Sequence, residues 1–293
     1  MNRRDLLKSG ALLAAPQVTR SAPERKFRIS LAEWSVHRAI RSRFITNLDF
    51  PRIAREQFGI EGLEFVNQLW EAPTQDYVRK LKSNARSTAT QPVLIMCDAE
   101  GAMGAAVKEE RMKAAANHYK WVDIAAELGC HSIRTNMYPD PEPKTPAEVD
   151  AFIGYCAESF NKLCEYAKDR GLNVIIENHG GLSSDPDIVI RLMKMVNLPN
   201  FGTLPDFGNF PKTSDRYSAI AKLLTYAKGV SFKCFDFDAS GRETTMDMDR
   251  IMRSVLDSGY HNWVGIEYEG DRQTEFEGVQ AGKRYLDRLL AQS

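Results

Sequence analysis

From Lys26 onward, short apolar runs alternate with longer segments in which apolar residues recur every three or four positions. The short runs are Phe27–Leu31, Gly62–Val66, Pro92–Cys97, Ser132–Asn136, Asn173–Glu177, Phe201–Asp206, Gly229–Phe235 and Trp263–Glu267. Most are bounded by turn residues and apolar at successive positions, as a parallel strand covered on both faces reads. The amphipathic segments are clearest at Lys108–Leu128, Pro146–Arg170, Tyr217–Ala227 and Met246–Asp257. Gly59, Gly129, Gly171, Gly229 and Gly259 mark the places where a helix gives way to a strand, since glycine tolerates the left-handed turn just past a helix. Asp185-Pro186-Asp187 reads as a helix start: capping residue, first-turn proline, acidic first turn. Eight such units predict an α/β fold of the (β/α)8 TIM barrel type. An open doubly wound sheet is the competitor, but no Gly-x-Gly-x-x-Gly turn supports it.

The length suits one such barrel, taken as residues 23–293. Charge is balanced, with 39 basic and 39 acidic residues, so nothing favours nucleic acid, and no apolar run spans a bilayer. The five cysteines are odd in number, scattered and without a Cys-x-x-Cys pair. Cys156 and Cys164 fall on one predicted helix about 12 Å apart, too far to bridge, and buried free thiols are expected. Residues 1–22 read differently. Arg3-Arg4-Asp5-Leu6-Leu7-Lys8, followed by a weakly apolar stretch, resembles a twin-arginine export signal, against the alternative of a disordered basic tail. The expectation is a folded enzyme exported to the periplasm, its mature chain starting near Pro23. Lysine at both Arg3 and Arg4 should trap it in the cytoplasm, and unchanged export of that variant would contradict the reading.

In a barrel of this kind the carboxyl ends of the strands open onto one face, where the chemistry lies. The first run leads to Glu33, Trp34 and His37, the second carries Glu64 and Asn67, and the third ends at Asp98. The fourth presents Arg134 and Asn136, the fifth Glu177, Asn178 and His179, and the sixth Asp206 and Asn209. The seventh offers Ser231, Lys233 and Asp236, and the eighth Glu267 and Glu269. Glu177, Asp206 and Glu267 each close an apolar run. Carboxylates gathered there are costly to desolvate unless protons or a cation neutralise them, which points to a divalent-metal site. A mouth rich in carboxylate, amide and guanidinium suits a small polyhydroxylated ligand.

Four segments, Glu177-Asn178-His179-Gly180-Gly181, Asp206-Phe207-Gly208-Asn209, Lys233-Cys234-Phe235-Asp236-Phe237-Asp238 and Gly265-Ile266-Glu267-Tyr268-Glu269-Gly270, occur in order on consecutive strands. Together they make the chain from Phe27 onward resemble the sugar phosphate isomerase/epimerase family with the xylose-isomerase-like barrel. That resemblance implies a divalent cation held by Glu, Asp, His and Glu from strands five to eight. Glu177, Asp206 and Glu267 match, whereas the seventh strand has Ser231 and Lys233 in place of the histidine. Three carboxylates without an imidazole suit Mn²⁺ or Mg²⁺ better than Zn²⁺. The remaining ligand is left between water or Ser231 and His179, with a metal-free site, neutralised by an inward Lys233, as a further alternative.

The chemistry the resemblance implies is proton transfer beside the carbonyl of a small sugar or keto-sugar, through an enediolate. Glu177 and Glu267 are the expected acid/base pair, with His179 or Lys233 as the alternative base. Glu64, Arg134 and Asn209 are the expected substrate contacts, although Arg134 would equally pair Glu64 or Asp98. Elimination from a keto-sugar starts from the same enolate, and a non-catalytic carbohydrate-binding barrel is the alternative outside catalysis. Trp34 and Phe210 stack on a sugar or simply pack, and His37, His118, His131 and His261 read as surface or satisfied polar residues. The sequence names neither the sugar nor an oligomeric state, and leaves room for an oligomer.

Overall fold

The computed structural model describes residues 26–292, so the paired arginines of the expected export signal lie outside the described residues. Eight parallel strands form the barrel: β1 (Arg28–Ala32), β2 (Gly62–Val66), β3 (Gln91–Met96), β4 (Ser132–Thr135), β5 (Asn173–Glu177), β6 (Phe201–Leu204), β7 (Val230–Cys234) and β8 (Trp263–Tyr268). Neighbours in sequence are neighbours in the sheet, and β1 pairs β8 through Arg28–Trp263 and Leu31–Ile266. Between β6 and β7 the ladder thins to isolated parallel bridges, Asp206 with Ser231 and Thr203 with Ala227, so the barrel is nearly closed. Helices alternate with the strands around the outside, the expected right-handed β–α winding.

Two cores hold this arrangement. The larger lies between strands and helices, from Phe27, Phe65 and Ile133 to Phe160, Phe232 and Leu286. The smaller fills the barrel interior with Ala32, Val66, Leu94, Met96, Ile175, Leu204 and Trp263. Gly62 makes room for the Trp263 ring, which a β-carbon there would meet at 2.5 Å. The interior is thus a packed plug, and a ligand has space only above it.

Glycine ends helices at Gly59 and Gly129, and Asp185 caps the helix Pro186–Val196 by accepting from the Asp187 amide. Gly229 does not act this way. The helix before it, Arg216–Leu224, closes at Thr225, and Gly229 is glycine because a β-carbon would press on Leu204 Cδ1 at 2.7 Å. The continuous helix expected over Lys108–Leu128 is two, Lys108–Asn117 and Tyr119–Leu128. At His118 the backbone slips to three-residue bonds (His118 N to Ala115 O, Trp121 N to His118 O), with the imidazole Nδ1 2.8 Å from Ala114 O. All five cysteines are buried and free. Among the described residues no helix is long and apolar enough to cross a membrane.

Candidate active site

Strand alternation and loop geometry bring the three carboxylates together. Glu177 is the last residue of β5, and Glu267 stands on β8 directly opposite Lys233 of β7. Pro205 lacks an amide hydrogen and ends β6 before Asp206. Asp206 is then held by a tight turn in which its Oδ1 accepts from the amides of Gly208 and Asn209, both at 2.8 Å. Glu177, Asp206 and Glu267 are buried, and one carboxylate oxygen from each lies within 4.8 Å of the others.

Two cations share this cluster. Arg134 places Nη1 2.6 Å from Asp98 Oδ1 and Nε 2.8 Å from Glu177 Oε2. The second contact is poorly aligned for a hydrogen bond, which leaves Glu177 Oε2 without a donor. Lys233 is fully buried and points inward, with Nζ 3.0 Å from Glu267 Oε1, 2.8 Å from Glu269 Oε1 and 3.6 Å from Asp206 Oδ2. Its aliphatic stem passes over Gly208, where a β-carbon would collide with Lys233 Cγ at 2.5 Å. Of the alternatives the sequence left open for Lys233, the inward one holds.

Ser231 Oγ sits 2.8 Å from Asp206 Oδ2 and 2.9 Å from Glu267 Oε2. A hydroxyl has one hydrogen to give, so both contacts are hydrogen bonds only if a carboxyl carries a proton. Burial lifts the Asp206 pKa to about 7 despite Lys233 nearby. Burial lifts Glu177 to about 7 as well, against the pull of Arg134. Glu267 is different. Burial would raise it too, but Lys233 and the Ser231 hydroxyl hold it below the ordinary carboxylate range. Burial works against the Lys233 ammonium, yet Asp206, Glu267 and Glu269 together keep its pKa well above the usual value.

The set fits a hard divalent cation. The carboxylates Asp98, Glu177, Asp206, Glu267 and Glu269 outnumber the ammonium and guanidinium of Lys233 and Arg134. The excess negative charge needs protons or a further cation. Carboxylate oxygens at 2.0–2.1 Å are the coordination Mg²⁺ takes, and Glu177 Oε2 is the oxygen without a donor. Histidine has no part in the triad. The His179 imidazole turns away to Tyr138, its Nδ1 2.8 Å from the phenol oxygen, and burial together with nearby Arg134 holds its pKa below the ordinary value.

Above the triad lies a cavity of about 420 Å³, lined in part by Trp34, Asp98, Arg134, Tyr138, His179 and Lys233. Asn209 and Glu267 also reach it, and Asn209 Nδ2 donates to Glu177 Oε1 at 3.0 Å. Trp34 stacks on His37 with ring centroids 4.5 Å apart, and the Arg41 guanidinium covers it. Phe210 is buried in the outer core. Tyr138 and Gln68 also line the cavity and were missed by the sequence reading; only their positions shortly after the second and fourth strand ends could have flagged them.

Glu64 is not at the mouth. It lies inside the barrel below the triad, where Gly265 leaves space for its carboxylate and Ser30 donates to Oε1 at 2.5 Å. Nor does it pair Arg134, whose partners are Asp98 and Glu177. Its Oε2 has no hydrogen-bond partner, and burial lifts its pKa from 4.5 to about 8. A carboxyl raised in this way favours folding fully below about 4.5, and that contribution is lost as pH rises through about 8. Its share of the slope is about 1.4 kcal/mol per pH unit. Glu64→Gln is therefore expected to flatten the fall in denaturant midpoint between pH 5.5 and pH 8. An unchanged slope would mean that Glu64 is ionised in the folded protein.

The chain belongs to the xylose isomerase-like TIM barrel family, whose model matches residues 52–289. Among solved structures it is similar to a D-tagatose 3-epimerase-like protein at 14% identity and TM-score 0.73, over 90% of this chain and 99% of that one. It is similar to 3-keto-D-glucoside 4-epimerase from E. coli at 16% identity and TM-score 0.68, over 90% and 100%. A xylose isomerase-like TIM barrel protein from Mycobacterium smegmatis, solved with magnesium, is 19% identical with TM-score 0.62, over 84% and 88%. Identities this low carry the fold and no more. No curated protein matches the chain significantly.

Proposed function

We propose that this barrel is a sugar-modifying enzyme, an isomerase or epimerase that moves a proton beside the carbonyl of a small sugar or keto-sugar through an enediolate. One observation carries the reading: the buried carboxylates of Glu177, Asp206 and Glu267 converge within 4.8 Å of one another beneath a polar cavity that Glu267 and Lys233 line. Lys233 favours the ionised form of Glu267, whereas burial favours the protonated form of Glu177. Glu267 takes the proton from the carbon next to the carbonyl, and Glu177 returns one to the neighbouring carbon or to the opposite face. Arg134, Asn209 and the neutral His179 are donors or acceptors for substrate hydroxyls, and the cavity is of the size that accepts small ligands.

A divalent cation on Glu177, Asp206 and Glu267, with Mg²⁺ or Mn²⁺ suiting the hard oxygens, would supply Lewis-acid polarisation of the carbonyl and its neighbouring hydroxyl. The names of the epimerase neighbours agree with this class of substrate. The test is incorporation of solvent deuterium into a panel of ketoses and keto-sugars, with Mn²⁺ and with chelator. Exchange at the carbon next to the carbonyl is expected. Sugars that bind without exchanging would make the protein a carbohydrate-binding barrel instead.

A further inference from the structure

We propose that Lys233 is a resident cation of the acidic triad that moves onto Glu269 when a divalent metal enters. The proposal rests on the metal part of the functional reading and concerns what this chain does at the site. Lys233 reaches carboxylates at two depths. Asp206 and Glu267 lie within the barrel, with side chains 0% and 6% exposed, whereas Glu269 stands at the rim with 32% exposure. The ammonium bridges them, 3.6 Å from Asp206 Oδ2, 3.0 Å from Glu267 Oε1 and 2.8 Å from Glu269 Oε1. A metal bound to the triad would therefore lie a few ångströms from Nζ, where a double and a single positive charge repel strongly in so buried a place.

The stem crosses Gly208, where the absence of a β-carbon leaves room for Lys233 Cγ. The terminal bonds remain to turn, and they carry Nζ from the deep carboxylates to the one at the rim. Glu269 thus offers a place that keeps the ammonium paired and frees Asp206 and Glu267 for a metal. Glu177 Oε2 has Arg134 Nε at 2.8 Å in place of Lys233. The three carboxylates are therefore not equivalent: one is paired with Arg134, and two are shared with Lys233.

Competition of this kind has a signature that a packing role lacks, because the two substitutions act in opposite directions. Mn²⁺ binding at fixed pH, followed by the electron paramagnetic resonance of free Mn²⁺, would be compared in wild type, Lys233→Met, Glu269→Gln and the double variant. Removing the competing charge should tighten binding at least about tenfold, and removing its resting place should weaken binding by about the same factor. In the double variant, Glu269→Gln should lose its effect, leaving an affinity within about threefold of Lys233→Met alone. Binding in Lys233→Met no tighter than in wild type overturns the proposal. So does a Glu269→Gln penalty that persists without Lys233, since Glu269 would then be a direct ligand. If Lys233→Met does not fold, Lys233→Gln takes its place, and unchanged Mn²⁺ affinity in Glu269→Gln is decisive against the resting place. None of these arms reads turnover, so their failure leaves the proton-transfer reading to the deuterium experiment.

Discussion

Replacing Glu267 by glutamine is expected to lower the rate of substrate α-proton exchange by about 10²–10⁴-fold, with Glu177→Gln falling in the same range for product formation. Glutamine keeps the size of the side chain and removes its basicity. It also removes a charged oxygen from the triad, so lost turnover alone would not separate proton transfer from weakened metal binding. The measurement is therefore made at saturating Mn²⁺, scoring solvent exchange and product separately. Glu267 is the member of the proposed pair that lines the cavity, so its variant should lose exchange itself. Glu177 is the proposed second-step acid, so Glu177→Gln should still exchange the proton while forming little product. Normal exchange in both variants, with loss in His179→Ala or Lys233→Ala, would show that the base is not a carboxylate and would move elimination ahead of isomerisation.

Arg134→Met should destabilise the protein by about 3–5 kcal/mol at pH 8, because it leaves buried acidic groups without their cation. Arg134 is itself buried, with a guanidinium nitrogen 2.6 Å from Asp98 and another 2.8 Å from Glu177. Asp98 keeps Asn136, whose Nδ2 donates to the same oxygen at 2.6 Å, but Glu177 keeps only Asn209. The loss should shrink at pH 6. Glu177, already at about 7 with Arg134 beside it, rises further without it, and a protonated carboxyl no longer needs the cation. Denaturant unfolding at both pH values decides the matter. An equal loss at pH 6 and pH 8 would assign the effect to packing of the long side chain rather than to charge.

The barrel was legible because its strands are covered on both faces. Gly62–Val66 and Asn173–Glu177 have the limits expected from their apolar runs, and the acidic residues that end such runs do converge. The break at His118 was not legible, since no glycine or proline marks it and the change is a slip of hydrogen bonds from four residues to three. Gly229 was misread because local sequence does not reveal a side chain from another strand, here Leu204, pressing on the position.

What the sequence by itself determined was the fold and the gathering of three acidic residues at strand ends, both of which follow from pattern and position along single strands. Alternation puts Ser231 and Lys233 on one face of β7 whatever surrounds them. The tertiary structure alone decided height and partners. Glu64 faces inward as Glu267 does, yet it lies a layer lower, beside Ser30 and Gly265. Height inside a closed barrel is set by the stagger between paired strands, which no single strand encodes. The same pairing sets Lys233 opposite Glu267, and the Asp206 turn brings the third carboxylate and Gly208 against it. Its ammonium therefore lies among the carboxylates because three separate strand ends meet there.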